Sequence, residues 1–370
     1  MKRIAIVRSK PMSESNPFIS AIREDVEISS VFAPRLSKAV TFILLLLAFS
    51  FNKTIWYRKW MRLREKTPYS FRALTRCLSN LNKHRAKDYD LLIQFGATVS
   101  PVELNKPYII ITDSTRNLTQ NNSNDIWGKF NNPAIEAEWI LYEKKVYQDA
   151  CKILVGCGEV KESLIRFYNI PEKNIVISPL FINETFEIKP EDKQYDGKTV
   201  LIVAKGQFDK KGGSDTLKAF KIVKQRIPDA ELHVVGQDKL EECNIDGVFC
   251  HGEIKDPQLL KELYKKANVF VLPSYIDRFG MSIVEAMSSA TPCIVANYRA
   301  QPEIVAETGY TVDLGDYEKI ADHIIELLSD RELSQVKGHQ ALDRYLNELS
   351  WKAQRNVFLD IVNTCGSNYD

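Results

Sequence analysis

The chain has 370 residues, 44% of them hydrophobic and 26% charged, with 16 Gly and 15 Pro. These globular proportions exclude a wholly disordered, collagen-like or mucin-like protein, and at about 150 residues per domain the length allows two domains. Fifty basic against 48 acidic residues leave a formal charge of +2, which argues against a nucleic-acid binder held by bulk positive charge.

In chain order, apolar runs with strand chemistry fall at residues 3–7, 26–31, 91–95, 108–112, 152–155 and 175–178. Helical patterning covers 137–150 and 160–168. A polar stretch at 183–198 reads as a linker. Beyond it, short runs rich in Val and Ile recur at 200–204, 232–236, 248–251, 269–273 and 292–296. Helical patterns stand between most of them, at 214–226, 257–266 and 281–289. Strand and helix alternate, and the strands are continuously apolar. The expectation is parallel sheets covered on both faces: two Rossmann-like, doubly wound α/β domains facing a central cleft, at 1–185 and 186–349.

The seven cysteines form no Cys-x-x-Cys pair, and the five histidines fall at no metal-ligand spacing beside them. Neither a disulfide framework nor a metal site is expected. The apolar run at 4–7 is too short for a signal peptide. The expected location is the cytoplasm, either free or peripheral on the inner face of the membrane.

One block departs from the average. Residues 39–51 read AVTFILLLLAFSF, without a charge and shorter than the roughly 20 residues that cross a bilayer. From Phe51 to Lys87 there are eleven cations and one acid, Glu65. The block is +10, so the rest of the chain sums to −8. Trp56, Tyr57, Trp60 and Tyr69 are interleaved. Two readings stay open: a buried helix followed by a solvated basic one, or contact of 39–87 with an anionic membrane surface.

Two strand-to-helix corners carry candidate chemistry. The first is Lys205-Gly206-Gln207-Phe208-Asp209-Lys210-Lys211-Gly212-Gly213. Lysines at the start of a helix face an end that is already positive, a conflict that a bound anion removes. Glycine lets backbone N–H groups approach a phosphate. The alternative is a solvated loop. The second corner is Asp277-Arg278-Phe279-Gly280-Met281-Ser282-Ile283-Val284-Glu285. Asp277 is either a ligand-binding acid or a helix cap. Glu285 is an acid among apolar neighbours, which calls for a specific partner. Lysines for phosphate and carboxylates for hydroxyls together suit a nucleotide sugar.

With these motifs the sequence resembles the family 4 glycosyltransferases, which have the two-domain GT-B fold. The resemblance covers roughly 88–360. It rests on the acid pair Asp277 and Glu285, on Phe279-Gly280, Glu285-Ala286-Met287 and Pro302-Glu303-Ile304-Val305, and on Lys211-Gly212. Ser350-Trp351 resembles the start of a terminal helix, here 350–365, that packs back on the first domain. The resemblance implies metal-free, cofactor-free, retaining transfer of a hexose from a UDP- or GDP-linked donor to a sugar or lipid-linked acceptor. It implies Lys211, Lys205, Lys210 and Gly212 on the diphosphate, and Asp277 with Phe279, Gly280, Met281 and Ser282 on the donor sugar. Glu285 would take the ribose, and Gly252, Glu253 and Ile254 would lie by the nucleobase. Asp113 is the candidate second catalytic acid beside Asp277. The chain departs from the family at Asp277, where Glu is usual, and at Ala300-Gln301, where a glycine pair is expected. It also departs at 9–16, where a glycine-rich loop is missing. A nucleotide-sugar 2-epimerase and a non-catalytic, membrane-docked relative are the alternatives.

Overall fold

The computed structural model describes residues 1–8, 17–85, 88–120, 132–178, 186–236 and 245–367. The loop at 9–16, Lys87 of the basic block, the start of the expected linker at 183–185 and the expected boundary at residue 185 lie outside them. The chain divides into two compact units, Met1–Phe181 with Gln354–Asp370, and Ile182–Ala353.

The first unit holds β1 (Arg3–Val7), β2 (Glu27–Phe32), β3 (Leu91–Phe95), β4 (Tyr108–Thr112), β5 (Lys152–Val155) and β6 (Ile175–Ile177). They form one parallel sheet in the order β2-β1-β3-β4-β5-β6. Its helices are α1 (Pro17–Ile22), α2 (Lys38–Leu47), α3 (Lys53–Glu65), α4 (Pro68–Arg85), α5 (Arg116–Gln120), α6 (Pro133–Gln148) and α7 (Gly158–Tyr168).

The second unit holds β7 (Thr199–Val203), β8 (Glu231–Val235), β9 (Val248–Cys250), β10 (Val269–Leu272), β11 (Cys293–Ala296) and β12 (Tyr310–Val312), again parallel, in the order β12-β11-β10-β7-β8-β9. Its helices are α8 (Gly213–Arg226), α9 (Pro257–Lys266), α10 (Met281–Ser288), α11 (Gln301–Val305), α12 (Tyr317–Ser329) and α13 (Arg331–Arg344). The last helix, α14 (Trp351–Ser367), enters the first unit at Gln354. The expected pair of Rossmann-like α/β domains is therefore present.

Local chemistry explains the elements. Every residue of β4 and β7 is buried, as a parallel sheet covered on both faces requires. The α9 helix starts at Pro257, capped by Asp256 through Gln258 N–H at 2.9 Å, and it buries Leu260, Leu263 and Tyr264 on one face. Phe358, Ile361, Val362 and Cys365 of α14 are buried at helical spacing. Phe358 meets the Phe18 ring edge-on at 6.1 Å, and Arg355 pairs with Asp25.

One expectation is overturned. Cys151, just before β5, and Cys365 on α14 form a disulfide, their Cα atoms 5.8 Å apart. The return of α14 brings together residues 214 apart in the chain, a contact that spacing motifs do not encode. Cys293 is a buried free cysteine, as its apolar neighbours suggest.

Burial has a pH consequence at Lys193. Its ammonium donates to Thr291 Oγ1 at 2.6 Å and to the Tyr264 carbonyl at 3.0 Å. Desolvation pushes its pKa down from 10.5 to about 7. Between these values the unfolded chain holds a proton that the folded chain has released. This group's contribution to stability therefore rises with pH across that window and is lost as pH falls toward 7. Lys193→Met should stabilise the protein more at about pH 6 than at about pH 10, measured by urea unfolding. An equal gain at both would place the amine in water.

Candidate active site

The order of the second sheet places its topological switch between β7 and β10. From β7 the chain proceeds to β8 and β9 on one side, and β10, β11 and β12 continue on the other. Ligands of open α/β sheets bind outside the carboxyl ends of the strands at such a point. Both sequence corners emerge there.

After β7, the chain runs through Lys205 and Gly206 to a short 3-10 turn at Asp209–Lys211 and then into α8. Lys205 is exposed and Lys210 half-buried. Gly212 has φ 78°, and a Cβ there would lie 2.3 Å from the Pro273 carbonyl oxygen. A side chain at 212 would thus drive the two corners apart. They are also stitched by the Tyr275 N–H, which donates to the Lys210 carbonyl at 2.9 Å.

The pairing that follows is between the two singled-out charges. Lys211 Nζ lies 2.9 and 3.1 Å from the two carboxylate oxygens of Asp277, with only 20% and 14% of the side chains exposed. Asp277 is no helix cap, because Gly280 stands at the cap of α10 and no side chain caps it. The Ser274 hydroxyl accepts from the backbone N–H of Asp277 at 3.1 Å and from that of Ile276 at 3.3 Å, which fixes the loop that presents the acid. Phe279 and Gly280 are buried, while Met281 and Ser282 are half-buried at the start of α10. The α8 start likewise lacks a side-chain cap. Two helix starts thus offer backbone dipoles without a competing side chain.

Glu285 is the fifth residue of α10 and 7% exposed. The wholly buried Tyr264 hydroxyl donates to its Oε2 at 2.7 Å. Burial, and then the Glu285 charge, hold the phenol well above its ordinary pKa, so it remains a proton donor. Phe186 stacks on the Tyr264 ring at 5.3 Å. The partner expected for Glu285 is therefore a tyrosine 21 residues upstream. At the end of β9, the Gly252 carbonyl accepts from Gly236 N–H at 2.7 Å. Glu253 is exposed and Ile254 buried.

Sequence reasoning missed Gln301, one of the departures from the expected glycine pair. It is 0% exposed. Its Nε2 donates to the Ser274 carbonyl at 2.8 Å, and its Oε1 accepts from Ala296 N–H at 3.2 Å. The amide thereby ties the end of β11 to the loop bearing Asp277. Only a buried polar residue in an apolar neighbourhood could have signalled this.

Asp113 lies in the first unit, at the carboxyl end of β4. Its charge opposes the lowering that burial imposes on the Arg8 guanidinium, and Arg8 sits 5.3 Å over the Phe95 ring. Nearby Arg116 is wholly buried and paired with Glu136, while its backbone N–H donates to Glu143. Among the described residues, no group of three or more His, Cys, Asp or Glu is placed to hold a metal ion.

Residues 184–344 match the family model described as "Glycosyl transferases group 1". The second unit is thus related to the group 1 glycosyl transferases. Two curated relatives extend the likeness. The sulfoquinovosyl transferase SQD2 of Arabidopsis thaliana is 25% identical over 213 residues, covering 55% of this chain and 40% of the relative. The N-acetyl-alpha-D-glucosaminyl L-malate synthase of Bacillus anthracis is 30% identical over 212 residues, covering 52% and 55%. The chain thus spans about half the length of these relatives or less. Among solved structures, sucrose-phosphate synthase from Thermosynechococcus elongatus superposes with a TM-score of 0.71 at 15% identity, covering 98% of this chain and 99% of that one. At that identity the likeness shows the fold alone, a GT-B-like pair of α/β units.

Proposed function

We infer that the protein is a retaining glycosyltransferase of family 4. It moves a hexose from a UDP- or GDP-linked donor to a sugar or lipid-linked acceptor, at an anionic membrane surface contacted through 39–87. The observation that carries the reading is the Lys211–Asp277 pair at the switch point of the second sheet. A cation and an acid in contact can part for a ligand that offers phosphate to the first and hydroxyls to the second. The names of the two curated relatives, a sulfoquinovosyl transferase and a glucosaminyl malate synthase, support sugar transfer.

In this reading Lys211, Lys205, Lys210 and Gly212, at the start of α8, hold the diphosphate, and the start of α10 faces the same group. As the bond from the sugar's anomeric carbon to the diphosphate breaks, negative charge grows on the leaving oxygen. Lys211 and the N–H groups stabilise it. The acceptor oxygen forms the new bond to the anomeric carbon, and its proton passes to the departing diphosphate. Asp277 orients the donor sugar, with Phe279–Ser282 shaping its seat. Glu285 takes the ribose hydroxyls, Gly252–Ile254 flank the base, and Asp113 serves the acceptor side.

The test is a donor panel read by product mass, with and without candidate acceptors. Hexose transfer from a UDP- or GDP-sugar with retained anomeric configuration is expected. An isomerised donor formed without acceptor would instead make the protein an epimerase, and no turnover of any donor would leave a non-catalytic relative.

A further inference from the structure

The α2–α3 hairpin does not pack as a buried apolar helix would. Of the residues of α2, only Leu44 is buried. Phe42, Ile43, Leu46 and Leu47 are 53–71% exposed, and Phe49 and Phe51 in the turn after it are 54% and 97% exposed. Six large apolar side chains within ten residues face outward, which in a folded protein marks an interaction surface. The hairpin is nonetheless firmly built. Ser37 caps α2 through Val40 N–H at 3.3 Å, and Asn52 caps α3 through two N–H groups at 3.0 and 3.1 Å. Trp56 Nε1 donates to the Leu45 carbonyl at 2.9 Å, and the Trp56 ring meets Phe49 edge-on at 5.7 Å.

At the other end of α2, where the helix starts, a groove of about 540 Å³ lies between α4 and the turn before α2. Arg35 and Arg76 are the cations of its lining, and no acid lines it. Neither arginine has an ion-pair or hydrogen-bond partner among the described residues. Leu36, Val40 and Leu81 supply apolar wall. Val40 shares one helical stripe with the exposed Ile43 and Leu47, so the wall runs on into the apolar tip.

A groove lined by two arginines beside an apolar stripe suits the chemistry of an anionic phospholipid. We propose that Arg35 and Arg76 bind the head group of such a lipid, while α2 and the Phe49–Phe51 turn enter the same leaflet. The proposal rests on the membrane contact included in the reading above and names its site. Charge selects a membrane over a second copy of the chain, because two such surfaces face to face would oppose two +10 blocks. At ten residues, α2 is too short to cross a bilayer of about 30 Å. No helix among the described residues is long and apolar enough to do so.

The test is sedimentation of the full chain with vesicles of phosphatidylcholine alone, or mixed with phosphatidylglycerol. Wild type should bind the mixed vesicles and bind the neutral ones at least about tenfold more weakly. L47S/F51S should release it from both. Diffuse attraction is worth about fivefold per cation, so the control pair K53Q/K59Q should weaken mixed-vesicle binding by that generic amount. R35Q/R76Q should weaken it at least about tenfold more than the control pair does. Equal losses in the two pairs would overturn the groove and leave docking in place. Failure of wild type to bind either vesicle would overturn the membrane contact as well. Unchanged thermal unfolding of the variants separates lost binding from lost fold, and glycosyl transfer from a soluble donor is read independently.

Discussion

Lys211→Ala should weaken binding of a nucleoside diphosphate by roughly a hundredfold, the loss of a charge-assisted contact worth about 2–3 kcal/mol. Turnover should fall further, because the charge on the leaving diphosphate grows in the transition state. The structure adds a second effect. Asp277 would keep its place, held by the Ser274 hydroxyl, while losing the ammonium that touches both of its oxygens. A largely buried carboxylate stripped of its partner is destabilised, so the substitution should also cost stability. Lys211→Ala/Asp277→Asn separates the two effects: it should recover stability without recovering affinity. Calorimetric titration with UDP and GDP, beside urea unfolding, reads both. Unchanged affinity in Lys211→Ala would remove this lysine from the donor site and reduce the ion pair to a structural tie.

Glu285→Gln should weaken binding of a ribonucleotide by about 10- to 100-fold, as expected when a carboxylate acceptor for paired hydroxyls becomes an amide. Tyr264 already donates to Oε2 at 2.7 Å, which holds the carboxylate in place. Side-chain ordering on binding is correspondingly small. A 2′,3′-dideoxynucleotide provides the contrast. Wild type should discriminate strongly against it, and Glu285→Gln should bind the two nucleotides nearly alike. If the discrimination survives the substitution, Glu285 is a structural partner of Tyr264 and the ribose is read elsewhere.

Much of this arrangement is legible in the chain. The runs at 3–7, 91–95, 108–112 and 152–155 coincide with β1, β3, β4 and β5, and 257–266 coincides with α9. These are central strands buried on both faces and a helix opened by Asp256-Pro257, where local composition and packing point the same way. β12 escaped notice because it is three residues long and its first two are not buried. Pairing with β11 makes it a strand. Both corners were visible as strand–loop–helix passages with Lys211, Asp277 and Glu285 in them. Their partners were not. Lys211 and Asp277 are 66 residues apart, Tyr264 and Glu285 are 21 apart, and Gln301 reaches back 27 residues to Ser274.

The near-neutral charge of +2 shows the division most clearly. The order of residues alone reveals that it joins a +10 block to a remainder of −8, and that thirteen uncharged residues begin the region. It cannot reveal whether that apolar run is covered. Burial is a property of what packs against a helix, and α2 is apolar on nearly every side, so no periodicity marks an inner face. Packing leaves Leu44 inside and turns Phe42, Ile43, Leu46 and Leu47 outward. The same holds for Cys151 and Cys365, which are unremarkable in their own neighbourhoods and are joined by the return of α14. Alternation, caps and charge runs act over a few residues and are written locally. Strand order, ion pairing between loops and the exposure of a face arise between distant segments, and folding settles them through burial within each unit.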